Sequence, residues 1–207
     1  GASGRPIIGI EDVSLGSASV EASGALLVAG PPASGRSTAL LTIAAALRRS
    51  DPGMALVLIS PRKTKLRGPV WSQIAEGMDQ VIQLLPTLID RLSHRGTERL
   101  AIFVESVAEF SNSEVEYELD RLIKLAVRED QFVVGESETS SWSQAYTLGA
   151  PFKAARRGLL LAPSDLDGDS LLGVSLGRVR RADFPPGRGF LIAGGRATKL
   201  QLAQDLG

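Results

Sequence analysis

Ala25-Leu26-Leu27-Val28-Ala29-Gly30-Pro31-Pro32-Ala33-Ser34-Gly35-Arg36-Ser37-Thr38 joins an apolar run to a glycine-rich turn and then to a helical pattern. The run from Ala25 to Ala29, with β-branched Val28 inside it, reads as a short strand buried on both faces. Beyond the turn, Leu40, Ile43, Ala44 and Leu47 fall on one helical stripe, and Arg48-Arg49 sit where the helix dipole is negative. Gly30 and Gly35 have the spacing of the pattern G-x-x-x-x-G-K-[ST], with Ser37 at the hydroxyl position. Glycines let the backbone curl so that its N–H groups converge on a phosphate, and the helix start adds positive potential. The hydroxyl ordinarily binds Mg²⁺ and the lysine ordinarily reaches the β- and γ-phosphates. Arg36 replaces that lysine, keeping the charge on a longer, planar, forked group. The bland reading of the stretch is a glycine turn that packs a helix on a strand; strand before and helix after favour a phosphate-binding loop over Gly30–Thr38.

Composition bounds the rest. The chain has 207 residues, enough for one α/β domain, and a formal net charge of zero, which advertises no nucleic acid. It has no cysteine, which excludes disulfide and thiolate chemistry, and one histidine, His94, which argues against a His-based metal site. No apolar run reaches membrane-spanning length. Residues 1–6, opening Gly1-Ala2-Ser3-Gly4, read as a cloning scar or linker, and residues 7–207 as a single module of a longer protein.

Along the chain, Ile7–Ile10 and Ser19–Glu21 suggest a small β element, and Ala55–Ile59 a second buried strand. Arg62, Lys63, Lys65 and Arg67 form a basic loop, solvated or in contact with nucleic acid or an acidic partner. Trp71 to Arg95 carries helical spacing, with Val81, Leu85, Leu88 and Leu92 as the stripe and Ile82 and Ile89 widening it. Pro86 predicts a kink or two short helices, and Gly96 a cap. Leu100–Val104 is a strand ending in Glu105, where a Walker B carboxylate belongs, but the activating acid expected next is Ser106. Ser113–Glu116 and Ser141–Gln144 read as capping boxes, with Trp142 expected to pack. Gln131–Gly135 is a further strand, followed by a polar loop, Glu136 to Thr139, in which Thr139 is sensor-like toward a γ-phosphate. Gly158–Leu161 is a strand, Asp165–Asp169 a plain turn, and Phe190–Ala193, Gly194-Gly195 and Lys199–Ala203 a closing hairpin on the sheet edge.

The glycine loop, the strand end at Glu105 and Pro185-Pro186-Gly187-Arg188-Gly189 ahead of the hairpin resemble the FtsK/SpoIIIE ATPase family. The likeness is greatest to the later modules of multi-domain actinobacterial translocases such as the type VII secretion motor. The resemblance implies a RecA-like P-loop fold: a mainly parallel sheet with helices on both faces and an antiparallel C-terminal hairpin. It implies ATP on Gly30, Pro31, Pro32, Ala33, Ser34, Gly35, Arg36, Ser37 and Thr38, with Mg²⁺ on Ser37 and Glu105, the latter also the catalytic candidate. Other modules of the same chain, neighbouring subunits and a small helical secretion substrate are the implied partners, in a cytoplasmic domain of a membrane-anchored protein. Arg36 and Ser106 point to a degenerate module, regulatory or substrate-docking; an active ATPase or a DNA-translocating segment are the alternatives.

Overall fold

The computed structural model describes residues 4–94 and 99–203; most of the opening linker and the Gly96 cap lie outside them. The strands are β1 (Ile7–Glu11), β2 (Ser17–Ser19), β3 (Gly24–Gly30), β4 (Ala55–Ser60), β5 (Gln73–Glu76), β6 (Leu100–Val104), β7 (Phe132–Glu138), β8 (Gly158–Leu161), β9 (Arg188–Ala193) and β10 (Arg196–Leu202). They form one ten-stranded sheet in the order β2-β1-β10-β9-β8-β3-β7-β6-β4-β5. From β8 to β5 every pairing is parallel, and from β8 to β2 every pairing is antiparallel. The C-terminal hairpin is antiparallel as expected; β1 and β2 continue the sheet beyond it, so β2 is the outermost strand.

Helices cover both faces. On one face α1 (Arg36–Ser50) packs Leu40, Ile43 and Leu47 against Leu26, Val28, Leu56 and Phe103. On the other, α2 (Met78–Ser93), α3 (Glu116–Arg128), α4 (Tyr146–Ala154) and α5 (Asp167–Leu172) bury Leu85, Leu88, Leu119, Leu122, Ile123, Phe152 and Leu172 against Leu27, Val57, Ile102 and Val133. The five fully apolar residues of β6 are buried on both sides, as a central parallel strand requires. α1 ends at Asp51, which precedes Pro52 and is therefore forced out of helical geometry (φ −142°, ψ 84°). Its Arg48 turns back to donate to the carbonyls of Met54 (2.9 Å) and Val70 (2.7 Å) and to the Ser72 hydroxyl (3.0 Å), tying the helix end to the next two loops. Trp142 packs as expected: it is fully buried, edge-on to Phe152, and its indole N–H donates to the Val28 carbonyl at 3.2 Å.

Several local expectations are corrected. Trp71 does not begin a helix: its buried indole N–H donates to the Leu66 carbonyl at 2.6 Å and its ring meets Phe103, which seats Gln73–Glu76 as an edge strand beside β4. Gly77, at φ +82°, then separates strand from helix. α2 runs unbroken through Pro86, whose ring is on the solvent side, and Ile82 is exposed. Neither capping box forms. Ser113 donates backward to the Phe110 carbonyl, Glu116 accepts the Asn112 N–H, and Ser141–Ser143 is one short 3-10 turn. The β element before the loop strand ends at Ser19, and Asp167 opens a short helix rather than continuing a plain turn. His94 serves the α2 terminus, its ring nitrogen bonded to the Asp90 carbonyl at 2.8 Å.

Candidate phosphate-binding site

The loop Gly30–Thr38 leaves the C-terminal end of β3 and turns into α1, the topological place for an anion in an α/β sheet. Its curl is compulsory. A Cβ on Gly30 would come within 2.3 Å of Ser34 Oγ and 2.9 Å of the Leu161 carbonyl oxygen. Gly35 sits at φ +100°, and a Cβ there would approach the backbone nitrogen of Gly187 to 2.9 Å. Ala33, without a glycine's freedom, is held at φ +63°. The outer side of the loop rests on the Pro185–Gly189 segment: the Gly187 N–H donates to the Ser34 carbonyl at 2.8 Å, and the Leu202 N–H to the Gly187 carbonyl at 2.9 Å. No side chain caps α1, so its first N–H groups and the dipole stay directed into the loop. Pro32, Ala33, Ser37 and Thr38 are exposed; Ser34 is buried, and its hydroxyl has no partner.

Arg36 is committed inside the protein. Its Nη1 pairs with Glu136 Oε1 at 2.8 Å and its Nη2 with Glu138 Oε1 at 3.4 Å. Both glutamates belong to β7, where the sequence reading put a polar loop. The strand runs three residues further, with Glu136 in register with Val28 and Glu138 with Gly30. Glu136 and Ser137 are buried, and strand alternation turns Glu136 and Glu138 to the same face. The other oxygen of Glu136 accepts the Ser106 N–H at 3.0 Å, and the Ser137 hydroxyl accepts the Ala108 N–H at 3.0 Å, so the end of β7 also holds the turn after β6. Burial pushes the Glu136 carboxyl above the usual range. Arg36 and the Ser106 N–H pull it back, and Glu105 and Glu109 push it further up.

Glu105 follows β6, one strand beyond β7, and its buried Oε2 has no hydrogen-bond partner. Ser106 occupies the left-handed region at φ 52°. Thr139 is placed beside the loop, its N–H donating to the Gly30 carbonyl at 3.3 Å. With Pro31, Pro32, Glu138, Leu166 and Arg181 it lines an open cavity of about 940 Å³. Among the described residues no cluster of three or more His, Asp or Glu side chains could hold a metal by itself. A Mg²⁺ here would depend on Ser37, Glu105, phosphate oxygens and water, a donor set of the kind that ion accepts. The basic loop is half neutralised: Arg62 pairs with Glu109 at 2.7 Å and Arg67 with Glu76, leaving Lys63 and Lys65 exposed. Glu136 and Glu138 are the site residues that sequence reasoning missed. The available signal was two acids at alternating positions continuing an apolar strand.

No family model matches the sequence, and no curated protein matches it. Solved structures do. The cytoplasmic domain of the type VII secretion ATPase EccC from Thermomonospora curvata superposes with a TM-score of 0.77 at 17% identity, over 100% of this chain and 27% of its own. Thermomonospora curvata EccC (ATPases 2 and 3), in complex with a signal sequence peptide, gives 0.76 at 17% identity, over 100% of this chain and 42% of its own. EssC (ATPases 2 and 3) from Geobacillus thermodenitrificans gives 0.78 at 17%, over 98% of this chain and 42% of its own. The chain thus spans between about a quarter and two-fifths of these structures' lengths. The fold anticipated from the glycine loop and the proline-glycine-arginine segment is therefore present: this chain has the RecA-like P-loop fold, a mainly parallel sheet with helices on both faces and an antiparallel C-terminal hairpin, shared with the EccC and EssC structures it superposes on.

Proposed function

We propose that the chain is a degenerate nucleotide-binding module of a membrane-associated FtsK/SpoIIIE-type translocase, regulatory or substrate-docking in type VII protein secretion, with little or no hydrolysis of its own. The observation that carries the reading is the state of Arg36, which stands at the Walker lysine position and spends its fork on Glu136 and Glu138. The backbone cradle of Gly30–Thr38 and the uncapped start of α1 still suit a polyphosphate. Ser37 and Glu105 are the residues that would hold Mg²⁺, which when bound would neutralise phosphate charge. Ser106 cannot take a proton from water near neutral pH, and Glu105, at the metal position, is the one carboxylate the sequence reading leaves for catalysis. Loss of a general base costs about 10²–10⁴-fold in rate.

Residues 7–207 are then one module of a longer, membrane-anchored chain, acting on the cytoplasmic side beside other ATPase modules and neighbouring subunits. The similarity to EccC and EssC supports that setting, and the EccC structure that holds a signal sequence peptide supports a small helical secretion substrate as partner. No described helix is long and apolar enough to cross a membrane. The test is direct: nucleotide binding and phosphate release by the purified module, then by the module joined to its neighbours. Weak binding without turnover in both is the expected result; turnover that appears in the isolated module contradicts the reading.

A further inference from the structure

We infer that Glu136 and Glu138 are an autoinhibitory clamp on Arg36, and that this clamp sets the affinity of the loop for phosphoanhydrides. The inference rests on the reading of Gly30–Thr38 as a phosphate site and names what holds that site shut. Each carboxylate takes a different nitrogen of the guanidinium, Glu136 at 2.8 Å and Glu138 at 3.4 Å, so the fork that would grip a phosphate is already occupied. A phosphate gripped by both terminal nitrogens must compete with these two carboxylates for the fork.

The two halves of the clamp are unequal. The side chain of Glu136 is 6% exposed and that of Glu138 41% exposed. A buried pair is little screened, and removing Arg36 from Glu136 strands a buried charge that already faces Glu105 and Glu109. Glu138 can be solvated in place, because it borders the open cavity with Pro31 and Thr139. Glu136 cannot follow a departing Arg36. Its second oxygen is held by the Ser106 N–H. Opening the site therefore costs chiefly the Glu136 pair, with Glu138 as a weaker, solvent-reachable catch.

The experiment is a calorimetric titration of inorganic pyrophosphate, without metal, into the wild-type chain and a small set of variants. Glu136→Gln keeps an acceptor for the Ser106 N–H while removing the charge, and is expected to tighten binding about tenfold or more; Glu138→Gln, at a screened pair, about threefold. Arg36→Ala in the Glu136→Gln background is expected to abolish the gain. Ser137→Ala loosens the same turn without touching Arg36 and is expected to leave affinity unchanged. Equal affinity in wild type and both glutamine variants, with loss in Arg36→Ala, overturns the clamp while leaving the phosphate site standing. Equal tightening in Ser137→Ala also overturns it, since a looser turn would then be the cause. Pyrophosphate bound by none of the wild type, Glu136→Gln and Arg36→Lys overturns the phosphate site itself. Should Glu136→Gln fail to fold, Glu138→Gln and its double variant with Arg36→Ala decide the matter alone.

Discussion

Arg36 and Glu136 carry most of the chemistry at the scale of single residues. Lysine at position 36 is shorter and has no fork, so it cannot hold Glu136 and Glu138 through separate nitrogens. Arg36→Lys should tighten nucleotide binding several-fold and raise turnover hardly at all, because Ser106 still supplies no base; parallel binding and phosphate-release assays check both halves. Glu136 also makes a statement about pH. Its folded-state pKa is raised above the unfolded one, with burial the largest cause, so its contribution to stability is fully present below the ordinary glutamate range and is lost as pH rises through the raised value. Unfolding by urea should therefore show Glu136→Gln gaining relative to wild type toward neutral pH, and that gain shrinking as pH falls toward the ordinary glutamate range. These two acids were legible as residues but not as a site. An acid after an apolar run reads as the strand's end, and only the register of β7 on β3 shows that the strand continues to Glu138.

Among the elements, the loop Gly30–Thr38 is the most tightly specified, because the Pro185–Gly189 segment is packed against its back. Gly35→Ala would force a Cβ onto the Gly187 nitrogen at a backbone angle alanine avoids. It should destabilise the fold by about 1–3 kcal/mol and abolish pyrophosphate binding, as chemical unfolding and calorimetry would show. Arg48→Ala removes four charge-assisted hydrogen bonds, to Pro52, Met54, Val70 and Ser72, that tie α1 to the loops before β4 and β5. Chemical unfolding should show a loss of about 2–3 kcal/mol, with the Gly30–Thr38 loop intact. The strand-turn-helix around Gly30 was readable because each part agrees with the next: apolar run, glycines at set spacing, helical stripe. The segment from Trp71 was not, since Val81 to Leu92 imposes a helical period strong enough to absorb the four-residue strand before it. That strand exists because of a partner distant in sequence: Trp71 packs on Phe103, and β5 pairs with β4. The capping box at Ser113 fails because its hydroxyl and the Glu116 carboxylate are taken by nearer backbone groups, of Phe110 and Asn112.

For the molecule as a whole, the sheet places the glycine loop, the end of β7 and the end of β6 side by side, and the fold class follows from the alternation of buried strands and amphipathic helices. The small β element before the glycine loop was visible, but its attachment to the sheet was not, because β1 pairs with β10, a partner almost the whole chain away. A zero net charge and a basic loop with Arg62 and Arg67 already paired argue against a duplex-binding surface. Fluorescence anisotropy at physiological salt should show no submicromolar affinity for duplex DNA. A salt-sensitive affinity lost on neutralising Arg62, Lys63, Lys65 and Arg67 would reverse that conclusion. The most direct test of the central claim is a single-turnover phosphate-release measurement on the purified module with Mg²⁺ and excess enzyme over ATP, beside a binding titration. The account predicts weak binding and release slower than an intact P-loop ATPase by about 10²–10⁴-fold. Brisk release by the wild-type chain, abolished by Arg36→Ala, would contradict it.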